Sequence, residues 1–349
     1  MMTDEIDLVA RERPDVAPYS LAAKAAVRRR LTDPAGRRAR PRPRPYMLLA
    51  GGTALLAMAG AAAVATVLTG PETPAGPQTR PVTVSAGVVR LPEVSNMSAE
   101  EVLGKAARAV TDLSPRDDQF VKVSSQTMYE ATVVGEDKKE SRYLYRTKRT
   151  IWLSADGTKD GALKVENLEP RAYPGWPIPP EAYREKGTEW MRLPACNSVR
   201  DTAYTSLRKL PADPEKMRAY LYDRPRGDTP PDTGAWTAVG DLLRETYVPA
   251  AQRAALFKAA ATIPGVTVNE SAEDAAGRTG IGVGRVSGGV REEIIFDPSS
   301  YELLGERGIV VDAKEAKAPT GSLVASTAQL EVTVDDTAPK VDDPHAGCL

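Results

Sequence analysis

The chain has 349 residues, 46 of them basic and 47 acidic for a formal net charge of −1, with 29 prolines, 27 glycines and 5% aromatic residues. The charge is unevenly laid: residues 1–45 carry 11 Lys/Arg against 6 Asp/Glu, a balance of +5, and the remainder carries 35 against 41, a balance of −6. The basic excess sits beside an apolar run instead of clustering on a folded face, which argues against a nucleic-acid binder, and two cysteines with one histidine leave little material for metal or thiol chemistry.

Residues 1–45 read as a short arm, partly helical or disordered. "TDEIDLVARER" opens on Thr3 as a cap, with acids in its first turn, and stops at Pro14. "SLAAKAAVRRRL" restarts at Ser20 and aligns Ala23, Val27 and Leu31 on a thin apolar face. So few large apolar groups cannot build a core. The arm therefore orders on a partner or remains a solvated tail that only sets topology.

Tyr46–Leu68 is 23 residues with no charged side chain. As a helix it would reach roughly 34 Å, enough for a hydrocarbon core of about 30 Å. A cleaved signal peptide is the alternative, and "AAAVA" resembles a cleavage site; against it, the run is too long and begins 45 residues in. Eight arginines crowd residues 28–44, whereas 69–89 hold only Arg80. Positive charge stays on the cytoplasmic side of a span. The expectation is a single-pass cell-membrane protein in contact with the lipid bilayer, its amino terminus cytoplasmic and its carboxyl-terminal part extracytoplasmic. Thr53, Ala57, Ala61 and Ala65 share one face of the span, a pattern that suits helix pairing and that its alanine content also produces by itself.

"GPETPAGPQTRP" lies in a Pro/Gly-rich linker over 69–89. A globular domain follows over 90–336, with a flexible tail at 337–349. "SAEEVLGKAARAV" begins with a capping box, Ser98 to Glu101. "QFVKVSSQTMYEATVV" and "SRYLYRTKRTIWLS" alternate with period two about the turn "GEDKKE", and "DGALKVENLE" is a third strand. "EPRAYPGWPIPPEAYR" is too rich in proline for either regular state. Helices return over 213–262, in "DPEKMRAYLYDR", "AVGDLLRETYV" and "PAAQRAALFKAAATI", the last with Pro249 at its start and "PG" after its end. Five further strands close the domain: "GVTVNES", "TGIGVGRVSG", "VREEIIFD", "YELLGERGIVV" and "SLVASTAQLEVTVDD", with "DPSS" at 297–300 as a tight turn. Strands, grouped helices, then strands again define an α+β fold. The expected form is a curved antiparallel sheet of six to eight strands packed on helices.

"DEIDLVARERPDV", the alanine-rich second helix, the apolar span and "LFKAAATIPGVTV…DAAGRTGIGVGR…EEIIFDPSSYELLGE" together resemble a family of uncharacterised actinobacterial single-pass membrane proteins. The resemblance covers most of the chain. It implies association with an extracytoplasmic-function sigma factor through an anti-sigma-like arm. It also implies an outer domain similar to the lipoprotein-carrier fold of LolA, LolB and RseB, a half-barrel with helices on its concave side. The zinc form of an anti-sigma domain needs His and two Cys, and residues 1–45 contain neither.

The chemistry-bearing residues point away from catalysis. "GIGVGRVSGG" at 280–289 is followed by a strand, not by the helix a phosphate loop requires, so its glycines serve a bulge or a close approach to a helix. His345 stands four residues from the end, where nothing would hold it as a general base. Glu292/Glu293, Asp335/Asp336 and Glu100/Glu101 are adjacent in sequence. Adjacent acids on a strand face opposite ways, and neighbours i and i+1 on a helix do not face each other, so these pairs are not dyads. No cofactor, metal site or enzyme activity is expected. Cys196 and Cys348, both outside the membrane, either pair as a disulfide or remain two thiols. Trp176 and Trp190 flank the proline-rich loop and either line a groove or cover core edges. Two functions fit: an envelope sensor for a lipid or protein ligand, with a sigma-binding arm, or a tethered module that holds lipid or lipoprotein acyl chains without signalling.

Overall fold

A computed structural model describes residues 91–92, 95–134, 139–183, 186–196, 200–224 and 227–343. The expected arm, span and linker, together with His345 and Cys348, lie outside the described residues. Among the described residues no helix is long and apolar enough to cross a membrane.

Helix α1, Ala99–Ala109, starts where the sequence predicts, with the Ser98 hydroxyl accepting the Glu101 N–H at 3.0 Å. The Glu101 carboxylate turns outward to Lys105 at 2.8 Å, so the cap is one-sided. Strands β1 (Phe120–Val134) and β2 (Glu140–Ser154) pair along their whole length, from Phe120↔Ser154 to Val134↔Glu140. β3 (Gly161–Ala172) runs on into the proline-dense stretch, and β4 (Thr188–Leu193) pairs with its first half. β4 is absent from the sequence reading. The helical insert holds α2 (Tyr204–Leu207), α3 (Pro214–Asp223), α4 (Pro231–Leu243) and α5 (Ala250–Ala261). α4 begins seven residues before "AVGDLL", because its two prolines stand at the cap and first position, where no donor is lost. Then come β5 (Thr267–Glu273), β6 (Thr279–Ser287), β7 (Val290–Phe296), β8 (Leu303–Val310), the short α6 (Ala313–Ala316) and β9 (Leu323–Asp335).

The strands form one antiparallel sheet of nine, ordered β4-β3-β2-β1-β9-β8-β7-β6-β5. Two meanders are joined by the β1–β9 pair, so the last strand of the domain lies beside the first. β4 and β5 are open edges and the sheet does not close. Register shifts at Ser124/Ser125, Leu144/Arg146, Asn269/Ala272, Ile295/Phe296 and Gly308/Ile309 mark irregularities of the kind that bend strands, and the sheet is curved.

The helices cover one face. Leu103, Val239, Leu256 and Phe257 pack on Val283, Ile294 and Phe296 of β6 and β7, with Phe257 edge-on to Phe296 at 5.3 Å. Over the other half of that face, Val121, Val123, Ile151 and Leu163 are capped by Tyr204 and Tyr247, whose rings stack 6.1 Å apart. The opposite face is partly covered by the β5–β6 turn. There Gln126 Nε2 donates to Ala275 O, and Arg278 Nη2 donates to the carbonyls of Leu304 and Gln329 at 2.8 Å each.

The glycines of β6 approach strands, not a helix. A Cβ on Gly284 would stand 2.2 Å from Glu292 O, and one on Gly282 3.0 Å from Glu293 Cδ and 2.8 Å from Ala272 Cβ. The segment is smooth because the Glu293 side chain lies across it.

Candidate functional site

One row of residues crosses the helix-covered face: Val283, Ile294, Glu306, Thr327, Thr127, Thr147 and Asn167, each opposite the next in register. It is apolar beneath the helices and turns polar at Glu306, where α4 ends. Thr127 and Thr147 hydroxyls meet at 2.7 Å, and the Glu306 N–H donates to Thr327 Oγ1 at 3.0 Å.

Two ion pairs fix the end of α4 to this face. Arg244 caps the helix and donates to Glu306 Oε2 through Nη2 at 2.6 Å and Nε at 3.2 Å, while its Nη1 reaches Asp241 at 3.1 Å. Glu245 follows with φ +52°, a left-handed conformation usually left to Gly or Asn after a helix. Its carboxylate accepts from Arg149 Nε at 2.5 Å, Arg149 Nη2 at 3.1 Å and Ser125 Oγ at 2.9 Å. The backbone strain thus places a carboxylate over β1 and β2 that no Gly could supply.

Glu306 holds the Arg244 guanidinium well above its ordinary value. Tyr129, next on the same face of β1, stands within the field of Arg244, Glu306, Glu245 and Arg149, and burial pushes its phenol up. Gly240 of α4 faces Glu306: a Cβ there would stand 3.5 Å from Glu306 Oε1, an ordinary van der Waals contact. That oxygen is buried and accepts no hydrogen bond from a described residue. Ser125, Thr127, Arg244, Glu245, Glu306 and Thr327 line a cavity of about 20 Å³, room for about one water. The site offers one free carboxylate oxygen among anchored charges. Ser125 donates to a carboxylate already held by arginine, so no base activates it as a nucleophile.

The structure separates the two tryptophans. Trp190 on β4 is 43% exposed on the face away from the helices and stacks on Trp152 at 6.0 Å. Trp176 is half-buried against Met128, Leu144 and Tyr173 in a different apolar cluster. Cys196 is half of a disulfide, and Cys348 lies outside the described residues. Glu292 and Glu293 face opposite ways, Glu292 toward the helix side and Glu293 between two arginines on the other. Among the described residues no three His, Cys, Asp or Glu side chains gather as a metal site.

Arg149, Glu245, Arg244 and Glu306 are not among the residues the sequence singles out. One signal was there: Arg149 falls on the same alternation as Ile151 and Leu153, a charge in a core-facing register. The sequence matches no known protein family and no characterised protein.

Proposed function

We propose that the protein is a non-enzymatic, single-pass membrane protein whose extracytoplasmic α+β domain senses or binds an envelope ligand, with a short cytoplasmic arm that holds a regulatory factor in the manner of an anti-sigma segment. The observation that carries this reading is the charge step in the sequence: eight arginines at 28–44, then 23 residues without a charge, then an acidic body. The curved, unclosed sheet with helices on one face supports the likeness to lipoprotein carriers. The alternative, a module that holds an acyl chain on the concave side, is the weaker reading. The helices fill one face of the sheet with side chains, and the cavity beside Glu306 has room for about one water, far short of an acyl chain.

Protease added to intact protoplasts tests the topology. Digestion of the carboxyl-terminal body with the arm protected is expected; a body that survives intact overturns the reading. Residues 1–45 used as bait in a cell extract test the partner, and recovery of no sigma factor removes the anti-sigma role while leaving the topology standing.

A further inference from the structure

On the face away from the helices, β7 and β8 bury an ionic cluster that the site above does not use. Glu293 Oε1 accepts from Arg291 Nε at 2.6 Å and Glu293 Oε2 from Arg307 Nε at 2.6 Å. Their side chains are 0%, 7% and 1% exposed for Glu293, Arg291 and Arg307. Asn269 Nδ2 donates to the same carboxylate at 3.2 Å, and Arg291 spends its other nitrogens on Thr267 Oγ1 and Thr267 O. Two guanidinium groups therefore share one carboxylate, and the cluster carries a formal charge of +1 away from water.

That surplus is localised. Arg307 Nη2 is buried and donates to no described residue, and so is the hydroxyl of Ser326, which stands directly opposite Arg307 in the β8–β9 register. Ser326 itself is 1% exposed. The nearest acid on the covering β5–β6 turn, Asp274, is already engaged by Arg278 Nε at 2.7 Å and by the N–H groups of Ala276 and Arg278. The next charge along the same row is Arg146 on β2, again positive. Two buried cations that share one carboxylate leave one charge unneutralised, which is costly, and a guanidinium N–H with a facing hydroxyl offers two donors to one small acceptor.

We propose that this cluster binds one monovalent anion of halide size, held between Arg307 Nη2 and the Ser326 hydroxyl beneath the β5–β6 turn. The anion brings the cluster to neutrality and gives both donors a partner. A larger oxyanion is disfavoured, because Arg291 and Asn269 are already engaged by Glu293, Thr267 and Ser271. The inference rests on the described fold alone and stands whether or not the membrane reading holds.

The test is thermal unfolding of the full-length chain in detergent, at constant ionic strength, as sodium gluconate is replaced by sodium chloride or bromide. The midpoint rises and saturates with either halide in the wild type. Ser326→Ala moves half-saturation about tenfold higher, the loss of one hydrogen bond to a charged partner. Arg307→Met abolishes the response. Coincident curves in gluconate and chloride, a linear rise without saturation, or a halide response kept by Arg307→Met each overturn the proposal. Should Arg307→Met fail to fold, chloride-35 line broadening decides: loss of broadening in Ser326→Ala supports the site, and broadening equal to wild type overturns it.

Discussion

Arg149 and Glu245 join the middle of the sheet to the end of α4 through two near-parallel hydrogen bonds of 2.5 and 3.1 Å, with side chains 15% and 7% exposed. Removing one partner of such a pair leaves a buried charge behind and costs about 3–5 kcal/mol. Glu245 also sits at φ +52°, where a non-glycine residue is strained by about 1–2 kcal/mol. Glu245→Ala should therefore lose stability in denaturant unfolding, and Glu245→Gly should lose about 1 kcal/mol less. Tryptophan fluorescence reports it, since all four tryptophans fall within the described residues. Equal losses for Ala and Gly would show that the left-handed conformation carries no cost.

The same substitution should have opposite signs at two glycines. Gly104 lies inside α1, where the nearest atom to an added Cβ is Arg108 Nη1 at 3.7 Å. Gly104→Ala should stabilise by about 0.5–1 kcal/mol through helix propensity. At Gly284 the added Cβ would meet the Glu292 carbonyl at 2.2 Å and Glu293 Cγ at 2.8 Å, so Gly284→Ala should destabilise by about 1–3 kcal/mol. Unfolding midpoints that move in the same direction for both would refute the account of β6 as a strand pressed against its neighbour.

Asp297 in the β7–β8 turn accepts from the Ser299 hydroxyl at 2.6 Å and from the N–H groups of Ser300 and Ser299, and these bonds pull its carboxyl down to about 2. A carboxyl depressed in the fold contributes stability above its unfolded value of about 4 and loses it as pH falls through the folded value. Wild type should therefore be more stable than Asp297→Asn at pH 5, and the gap should close between pH 4 and 2. A gap that stays constant over that range in acid-unfolding curves would exclude the hydroxyl clamp.

What could be read in advance follows from how local each interaction is. The β1–β2 hairpin was legible because alternation persists over 15 residues on each side of its turn. β4 was not, since "TEWMRL" has six residues, three of them exposed, and follows a proline-dense stretch. The β1–β9 pairing joins residues some 200 positions apart, and no local pattern announces it. The glycines at 280–284 were assigned to a strand correctly, but the approach they allow is to Glu293 and not to a helix. Arg244 and Glu245 read as ordinary charges near a helix end. Only the fold shows that one caps α4, that the other turns left-handed, and that both meet the sheet.

Cys196 is a half-cystine, and the chain contains a single other cysteine, Cys348. Ala338 and Val341, shortly before it, pack against Phe120, Trp152 and Ala162, so these two residues hold the described chain after β9 against the sheet. Trp152 Nε1 donates to Asp335 Oδ2 at 2.9 Å at the point where that chain leaves β9. A Cys196–Cys348 bridge would close a loop of about 150 residues, and on the chain-entropy model it contributes roughly 4–5 kcal/mol. Intact mass after alkylation without reductant should show no added label, and reduction first should add two. Reduction should also lower the unfolding midpoint, and Cys348→Ser should reproduce that drop without reductant. Two labels on the unreduced chain would remove the bridge, and an unchanged midpoint in Cys348→Ser would show that a bridge contributes nothing to stability.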